Sequence, residues 1–294
     1  MYHDLLQEIK KIAFGTLKGG PGKTATLFNT VGVLAETELV LAVDADPQFN
    51  LTTNAGIDVT DPNIKTLRDV FENGATAEEV IIKSPISELP NLDILPSSIQ
   101  LTATEIKIVN LGGREQIFNN FLIDNIDYLK KYKYIFFDTN PNLGMINQNI
   151  FNAADSIVLV SDISSNSIMG AEFFIALWET IRWQLRKSDN VAALILNNAD
   201  FRTTLTHRMR ITFKVWRMPL PNLPTTKNFW RGGSSICKRA AAVRVGEGAK
   251  CAVLFPAFVC PRAFAGLDFK AIASALGSPV AVELAGRVGV RDGK

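Results

Sequence analysis

Cysteine is scarce in this 294-residue chain: Cys237, Cys251 and Cys260 are all there is, and residues 1–208 contain none. Three cysteines cannot pair completely, and their spacings match no metal-binding pattern. A disulfide framework is thereby excluded, and free thiols in a reducing compartment are expected. Long apolar runs are missing too. None approaches the roughly 18 residues of a membrane-spanning helix. The longest, around Val253–Val259, is interrupted by Pro256. The first residues carry Asp4, Glu8, Lys10 and Lys11 and no apolar core, so no secretory leader is expected. No internal repeat or low-complexity tract occurs. Acidic residues fail in one region. Residues 209–294 hold 4 Asp/Glu against 14 Lys/Arg, a net of +10, whereas residues 1–208 hold 25 against 17, a net of −8. A cytoplasmic protein of two unlike parts is expected.

What the chain does have is core-forming material, 47% of its residues. Apolar runs alternate with helical patterns. Strands are expected at Ile12–Thr16, Glu38–Asp44, Leu92–Pro96, Tyr132–Asp138, Ser156–Val160 and Val191–Leu196. Helices are expected at Ala25–Ala35, Thr66–Asn73, Thr76–Ser84, Ser98–Asn110, Arg114–Lys131, Asn147–Ala154 and Met169–Arg186. This alternation predicts an α/β fold with a doubly wound, mostly parallel sheet.

The first strand runs into Leu17-Lys18-Gly19-Gly20-Pro21-Gly22-Lys23-Thr24, and a helix follows. Strand, glycine-rich turn and helix form the setting of a phosphate-binding loop. Glycines let backbone N–H groups crowd an anion, and the helix aims its positive end at the same spot. Gly19, Gly20, Pro21, Gly22, Lys23, Thr24 and Ala25 are the expected nucleotide cradle. Lys23 reaches the terminal phosphates and the Thr24 hydroxyl suits Mg2+. Six residues separate Gly15 from Gly22, more than the common G-x-x-x-x-G-K-[ST] spacing allows. The fit therefore relies on a second lysine, Lys18.

Two strand ends add acids. Asp138 closes Tyr134-Ile-Phe-Phe and has the form of a carboxylate that holds Mg2+ opposite Thr24. Asp44 and Asp46 are two apart and share a face of an extended segment. One suits the attacking water and the other the metal shell, which makes Asp46 a metal candidate as well; a turn-forming Asp-Ala-Asp-Pro is the alternative. Asn197 and Asn198 end a late strand, where a strand-end turn is one reading; the family resemblance set out below implies the other, a hydrogen bond to adenine.

Taken together, the loop K-G-G-P-G-K-T resembles the deviant Walker A loop of the ParA/MinD ATPases, a P-loop NTPase fold. The resemblance extends further. Val43-Asp-Ala-Asp-Pro-Gln48 is similar to the family's V-D-x-D-P-Q. The stretch from Leu92 to Glu105 is similar to L-D-x-[IL]-P-[AS]-x-x-x-L. Asp138-Thr-Asn-Pro-Asn-Leu-Gly144 resembles D-x-P-P-S-L-G, with Asn140 in place of the first proline. Ala153-Ala-Asp-Ser-Ile-Val158 follows as in the family, and Asp200-Phe-Arg-Thr-Thr-Leu205 resembles D-x-R-T-x-L. About residues 10–207 are covered. After the Ser156–Val160 strand the chain departs, with Ser161-Asp-Ile-Ser-Ser-Asn-Ser where many members have proline and aromatic residues.

The resemblance implies a partition ATPase of the ParA/Soj type. Lys18 would reach the nucleotide of the other subunit in an ATP-dependent homodimer. Asp46 would act in hydrolysis, with Asp44 as helper. ATP and Mg2+ are the implied cofactors. Non-specific DNA and a DNA-bound ParB-like protein are the implied partners, with nucleoid association and no membrane. A MinD-like regulator of division-site placement is the alternative, but Glu283–Lys294 lacks the apolar face such a protein needs. A nitrogenase-reductase-like carrier needs cluster cysteines, and residues 1–208 have none.

Beyond Arg208 the resemblance ends. Pro219, Pro221 and Pro224 crowd together, and from Gly232 the usage shifts to Ala, Arg, Gly and Val. Residues 1–208 are expected to be the ATPase domain. Residues 209–294 are expected to be a frameshifted or fused tail that leaves the fold incomplete. A basic arm for DNA phosphates is the alternative, and so is a nucleotide-binding protein without turnover.

Overall fold

Ile-Ala-Phe, Val-Leu-Ala-Val and Ile-Phe-Phe are too short for helices and too apolar to leave either face in water. They become strands buried on both sides, the usual state of a parallel sheet. The computed structural model describes residues 6–162, 164–197, 242–244 and 251–255. In chain order the elements are β1 (Lys10–Gly15), α1 (Lys23–Leu34), β2 (Val40–Ala45), α2 (Asn50–Asn54), α3 (Leu67–Asn73), α4 (Ala77–Val80), β3 (Leu92–Leu95), α5 (Leu101–Ile108), α6 (Ile117–Asp124), α7 (Ile126–Leu129), β4 (Tyr134–Thr139), α8 (Met145–Ala153), β5 (Ser156–Asp162), α9 (Ser165–Gln184), β6 (Val191–Asn197), β7 (Ala242–Arg244) and β8 (Cys251–Phe255).

The described residues fall into two compact units. The first holds the chain up to Gly19, Lys23–Ile157 and Glu172–Asn190; the second holds Gly20–Gly22, Val158–Ala171 and the described residues from Val191 onward. In the first unit the strand order is β3-β2-β4-β1, and every pairing is parallel. Register decides what the strand ends present. Asp44 lies opposite Asp138, and Phe14 lies opposite Asp138 on the other side. Aromatic rings fill the layers against this sheet. Phe118 meets Phe137 edge-on at 5.6 Å, and Phe151 meets Phe174 at 5.2 Å and Trp178 at 5.6 Å. The Trp178 indole N–H finds a buried acceptor in Asn190 Oδ1 at 2.9 Å.

Two expected helices differ from the structure. The segment 114–131 is no single helix: a 3-10 turn at Arg114–Gln116 leads into α6, and Asn125 separates α6 from α7. Asn125 Oδ1 accepts the Ala77 N–H at 2.8 Å, and its Nδ2 donates to the Phe121 carbonyl at 2.9 Å. A side chain that competes for backbone partners ends the helix there. The 3-10 turn is held from α8, where Asn149 and Asn152 donate to the Arg114 and Glu115 carbonyls. The helix expected over 76–84 stops at Val80. Ile82 exchanges backbone hydrogen bonds of 2.8 and 2.9 Å with Ile94, so a β-branched residue joins the sheet edge instead of a helix.

In the second unit β8 pairs with β6 in parallel, Leu194 opposite Ala252 through Asn197 opposite Phe255, and β7 pairs with β8 antiparallel. Both short strands come from the tail. The Asp200–Leu205 motif, the proline-rich stretch after Arg210, Cys237 and Cys260 lie outside the described residues. Among the described residues no helix is long and apolar enough to cross a membrane.

Candidate nucleotide-binding site

The chain leaves β1 through a turn pinned by Thr16, whose hydroxyl donates to the Lys18 carbonyl at 3.1 Å and accepts the Lys18 N–H at 3.2 Å. Gly20 and Gly22 follow with φ of 88° and 81°, conformations that side chains with a Cβ resist. At Gly22 space forbids one as well: a Cβ there would sit 2.3 Å from Asn197 Nδ2. Lys23, Thr24 and Ala25 then form the first turn of α1. That turn contains no acidic residue, so no side chain of the turn itself cancels the positive pole of the helix. Gly19 and Gly20 are exposed, Lys18 and Thr24 are half-buried, and Pro21 and Lys23 are buried.

Lys23 Nζ forms a buried ion pair with Asp138 Oδ1. The other carboxylate oxygen, Asp138 Oδ2, is buried with no hydrogen-bond partner among the described residues. Asp46 faces the same charges. Burial raises its pKa, the Gln48 N–H at 2.9 Å and the Lys23 charge lower it, and the Asp138 charge raises it. Lys23, Asp46 and Asp138 thus form one electrostatic group.

Asp44 is different. It is fully buried, and both its oxygens are taken by this chain. Oδ1 accepts the Asp46 N–H at 3.1 Å; Oδ2 accepts the Thr52 N–H at 2.9 Å and the Thr52 hydroxyl at 2.7 Å. Burial and the Asp138 charge push its pKa up to about 7 despite those bonds.

The segment after Asp138 is tied back. The Thr139 hydroxyl donates to the Phe14 carbonyl at 2.7 Å. Asn147 Nδ2 donates to Asn140 and to the Asn142 carbonyl at 2.8 Å. Where the resembled family carries a first proline, side-chain amides hold the turn.

Of the two late asparagines, Asn197 points to the loop. Its Nδ2 donates to the Pro21 carbonyl at 2.7 Å, and its Oδ1 is buried without a partner among the described residues. Asn198 lies outside the described residues.

The donor set tests what the site can hold. Among the described residues no three His, Cys, Asp or Glu side chains converge on a metal position, so no all-protein cage exists there. One orphaned carboxylate oxygen and one helix-turn hydroxyl, both hard donors, fit a magnesium ion shared with phosphates. Thr52 and Asn147 are site-supporting residues that the sequence does not single out. Their only signal is a polar side chain in an otherwise apolar setting, which does not reveal the distant acceptor.

Strand, glycine loop, lysine-led helix and an acid at the end of the neighbouring parallel strand define a P-loop α/β protein. Comparison with known proteins narrows the class. A family described as an AAA domain matches residues 9–191. The sporulation initiation inhibitor protein Soj of Bacillus subtilis is 31% identical over 198 residues, 67% of this chain and 75% of Soj. The chromosome partitioning protein ParA of Caulobacter vibrioides is 29% identical over 202 residues, 68% and 74% of the two chains. An uncharacterized Mycobacterium tuberculosis protein is 31% identical over 196 residues, and this chain spans 59% of its length. The chain belongs to the ParA/Soj family of partition ATPases.

Solved structures share the fold. McdA of Cyanothece aligns with a TM-score of 0.63 at 19% identity, covering 74% of this chain and 87% of McdA. A Borrelia burgdorferi plasmid partition protein bound to AMPPNP aligns at 0.59 with 20% identity, over 71% and 81%. Cobyrinic acid a,c-diamide synthase of Mycobacterium smegmatis, with an ATP analogue and magnesium, aligns at 0.62 with 22% identity, over 75% and 88%.

Proposed function

We propose that this chain binds ATP with Mg2+ and hydrolyses it slowly as a DNA partition protein. The observation that carries the reading is the buried Lys23–Asp138 pair beside the Lys18–Thr24 loop, with Asp138 Oδ2 bonded to no partner among the described residues. Family membership and the nucleotides bound by the aligned structures support it.

In this reading the Gly19–Ala25 backbone surrounds the phosphates and Lys23 neutralises the terminal ones. Thr24 and Asp138 would hold Mg2+, with Asp46 as a further candidate for its shell; a bound ion would offset phosphate charge. Asp46 orients the attacking water. Lys18 of one subunit completes the site of a second copy. Asn197 and Asn198 border the base. Residues 1–208 are the ATPase domain, and residues 209–294 an appended basic tail. The ATP-bound dimer would hold DNA without sequence preference, and a ParB-like partner would trigger release.

The test is ATP turnover by the full chain alone, with non-specific DNA, and with lipid vesicles. Stimulation by DNA is expected. Stimulation by lipid alone would favour division-site placement. ATP binding without turnover under every condition would leave a nucleotide-binding scaffold and overturn the hydrolytic reading.

A further inference from the structure

The segment between β2 and α2 is a closed loop. Asp44 at its start and Thr52 in α2 are joined through one carboxylate oxygen, which takes both the Thr52 N–H (2.9 Å) and its hydroxyl (2.7 Å). Asp46 lies inside the loop. Its N–H is held by the other Asp44 oxygen at 3.1 Å, and its own Oδ1 accepts the Gln48 N–H at 2.9 Å. Phe49 closes the turn with φ 44° and ψ 35°, a left-handed conformation that a bulky residue keeps only where its surroundings impose it. The Thr52 hydroxyl does one thing more. It accepts the Ser97 N–H at 3.0 Å, which ties the end of β3 to the same point. A helix threonine usually returns its hydroxyl to its own helix; this one is fully buried and bonds eight residues back and forty-five residues ahead.

We propose that Thr52 is a positioning residue for the hydrolytic acid. Its hydroxyl locks Asp44 against the end of β3, and Asp44 in turn fixes the backbone from which Asp46 projects. The Thr52 hydroxyl bonds to Asp44 and Ser97 and not to the Lys18–Thr24 loop or Asp138, so it governs turnover and not nucleotide affinity. Thr52→Val keeps the shape of the side chain, removes the donor to Asp44 and leaves the Ser97 N–H unpaired. Thr52→Ser keeps the hydroxyl.

The inference rests on the hydrolytic reading above, and the experiment separates the two. The full-length wild type, Thr52→Val and Thr52→Ser are compared by ATP affinity, by steady-state turnover and by amide hydrogen exchange of the 45–51 peptide. Thr52→Val is expected to lower kcat about tenfold, the size of one lost charge-assisted hydrogen bond, with ATP affinity within about twofold of wild type. Exchange of the 45–51 peptide is expected to speed up while that of β1 stays unchanged, and Thr52→Ser is expected to match wild type in every measure. Wild-type turnover by Thr52→Val, affinity lost in step with kcat, or a Thr52→Ser variant as impaired as Thr52→Val would each overturn the assignment. If wild type binds ATP without turnover, the hydrolytic reading fails by itself. The exchange result then decides: unchanged exchange in Thr52→Val removes Thr52 from positioning, and faster exchange reversed by Thr52→Ser retains it.

Discussion

The ends of β2 and β4 make an instructive pair. Each delivers an aspartate, Asp44 and Asp138, level with one another on adjacent parallel strands and both fully buried. Their partners differ. Asp44 is saturated by three donors from its own segment and holds a turn together. Asp138 has one oxygen on a lysine and the other on no partner among the described residues. A buried acid whose acceptors are all used serves the fold, whereas one with an oxygen to spare can serve a ligand. Identical residues at identical depth take different tasks from what the following loop brings back.

The largest effect is expected where this contrast is sharpest, at Lys23. Lys23→Ala should weaken ATP binding about 100-fold or more, the scale of a lost charge-assisted contact to phosphate, as measured by titration calorimetry. It also leaves Asp138 buried and uncompensated. Pairing it with Asp138→Asn should restore thermal stability but not ATP affinity. Recovery of affinity would show that Lys23 does not contact nucleotide.

Next comes Asp46→Ala, which should stop turnover while leaving ATP affinity nearly unchanged. Turnover at the wild-type rate would remove Asp46 from the mechanism.

A smaller, pH-dependent effect belongs to Asp44. Its pKa is raised from 3.8 to about 7, so the folded chain keeps a proton that the unfolded chain releases. The stability this confers is complete below the unfolded value and is lost as pH rises through the folded one. Urea midpoints should therefore fall between about pH 4 and pH 7, and Asp44→Asn should flatten that slope. Glu72 shifts the other way. Burial works upward on it, but hydrogen bonds from Lys107, Thr104 and Arg68 hold it down at about 2. Its contribution is lost only in more acidic solution, as pH falls below its ordinary 4.5. An unaltered slope in the Asp44→Asn variant would contradict the burial assigned to Asp44.

The smallest effect is expected at Asn197. Asn197→Ala removes the bond to the Pro21 carbonyl and should cost about 1 kcal/mol of stability. It should also soften the loop, seen as faster amide exchange at Gly20 and Gly22. A large loss of ATP affinity with the loop unchanged would instead mark a base contact.

Much of this is legible in the amino-acid sequence alone. The first three strands after the N-terminus, the phosphate loop and the level of Asp138 all follow from apolar runs that end in acid or glycine. The boundaries of β1, β2, β3 and β4 differ from expectation by only a residue or two. The helix over 114–131 fails because its apolar period is real but Asn125 is claimed by Ala77, forty-eight residues away. The helix over 76–84 fails because Ile82 can pair with Ile94. Gly22 shows in the sequence only as a glycine; that its missing Cβ makes room for the Asn197 amide, far along the chain, is invisible there.

The sequence by itself determined that a phosphate loop stands between a buried strand and a helix, with acids at two strand ends, because periodicity and turn chemistry act over neighbouring residues. Which acid keeps an oxygen free, which asparagine braces the loop and which threonine pins the backbone of Asp46 were decided only by the tertiary structure. Those assignments depend on register between strands and on hydrogen bonds across tens of residues, and a buried polar side chain takes its role from the partner that folding brings to it.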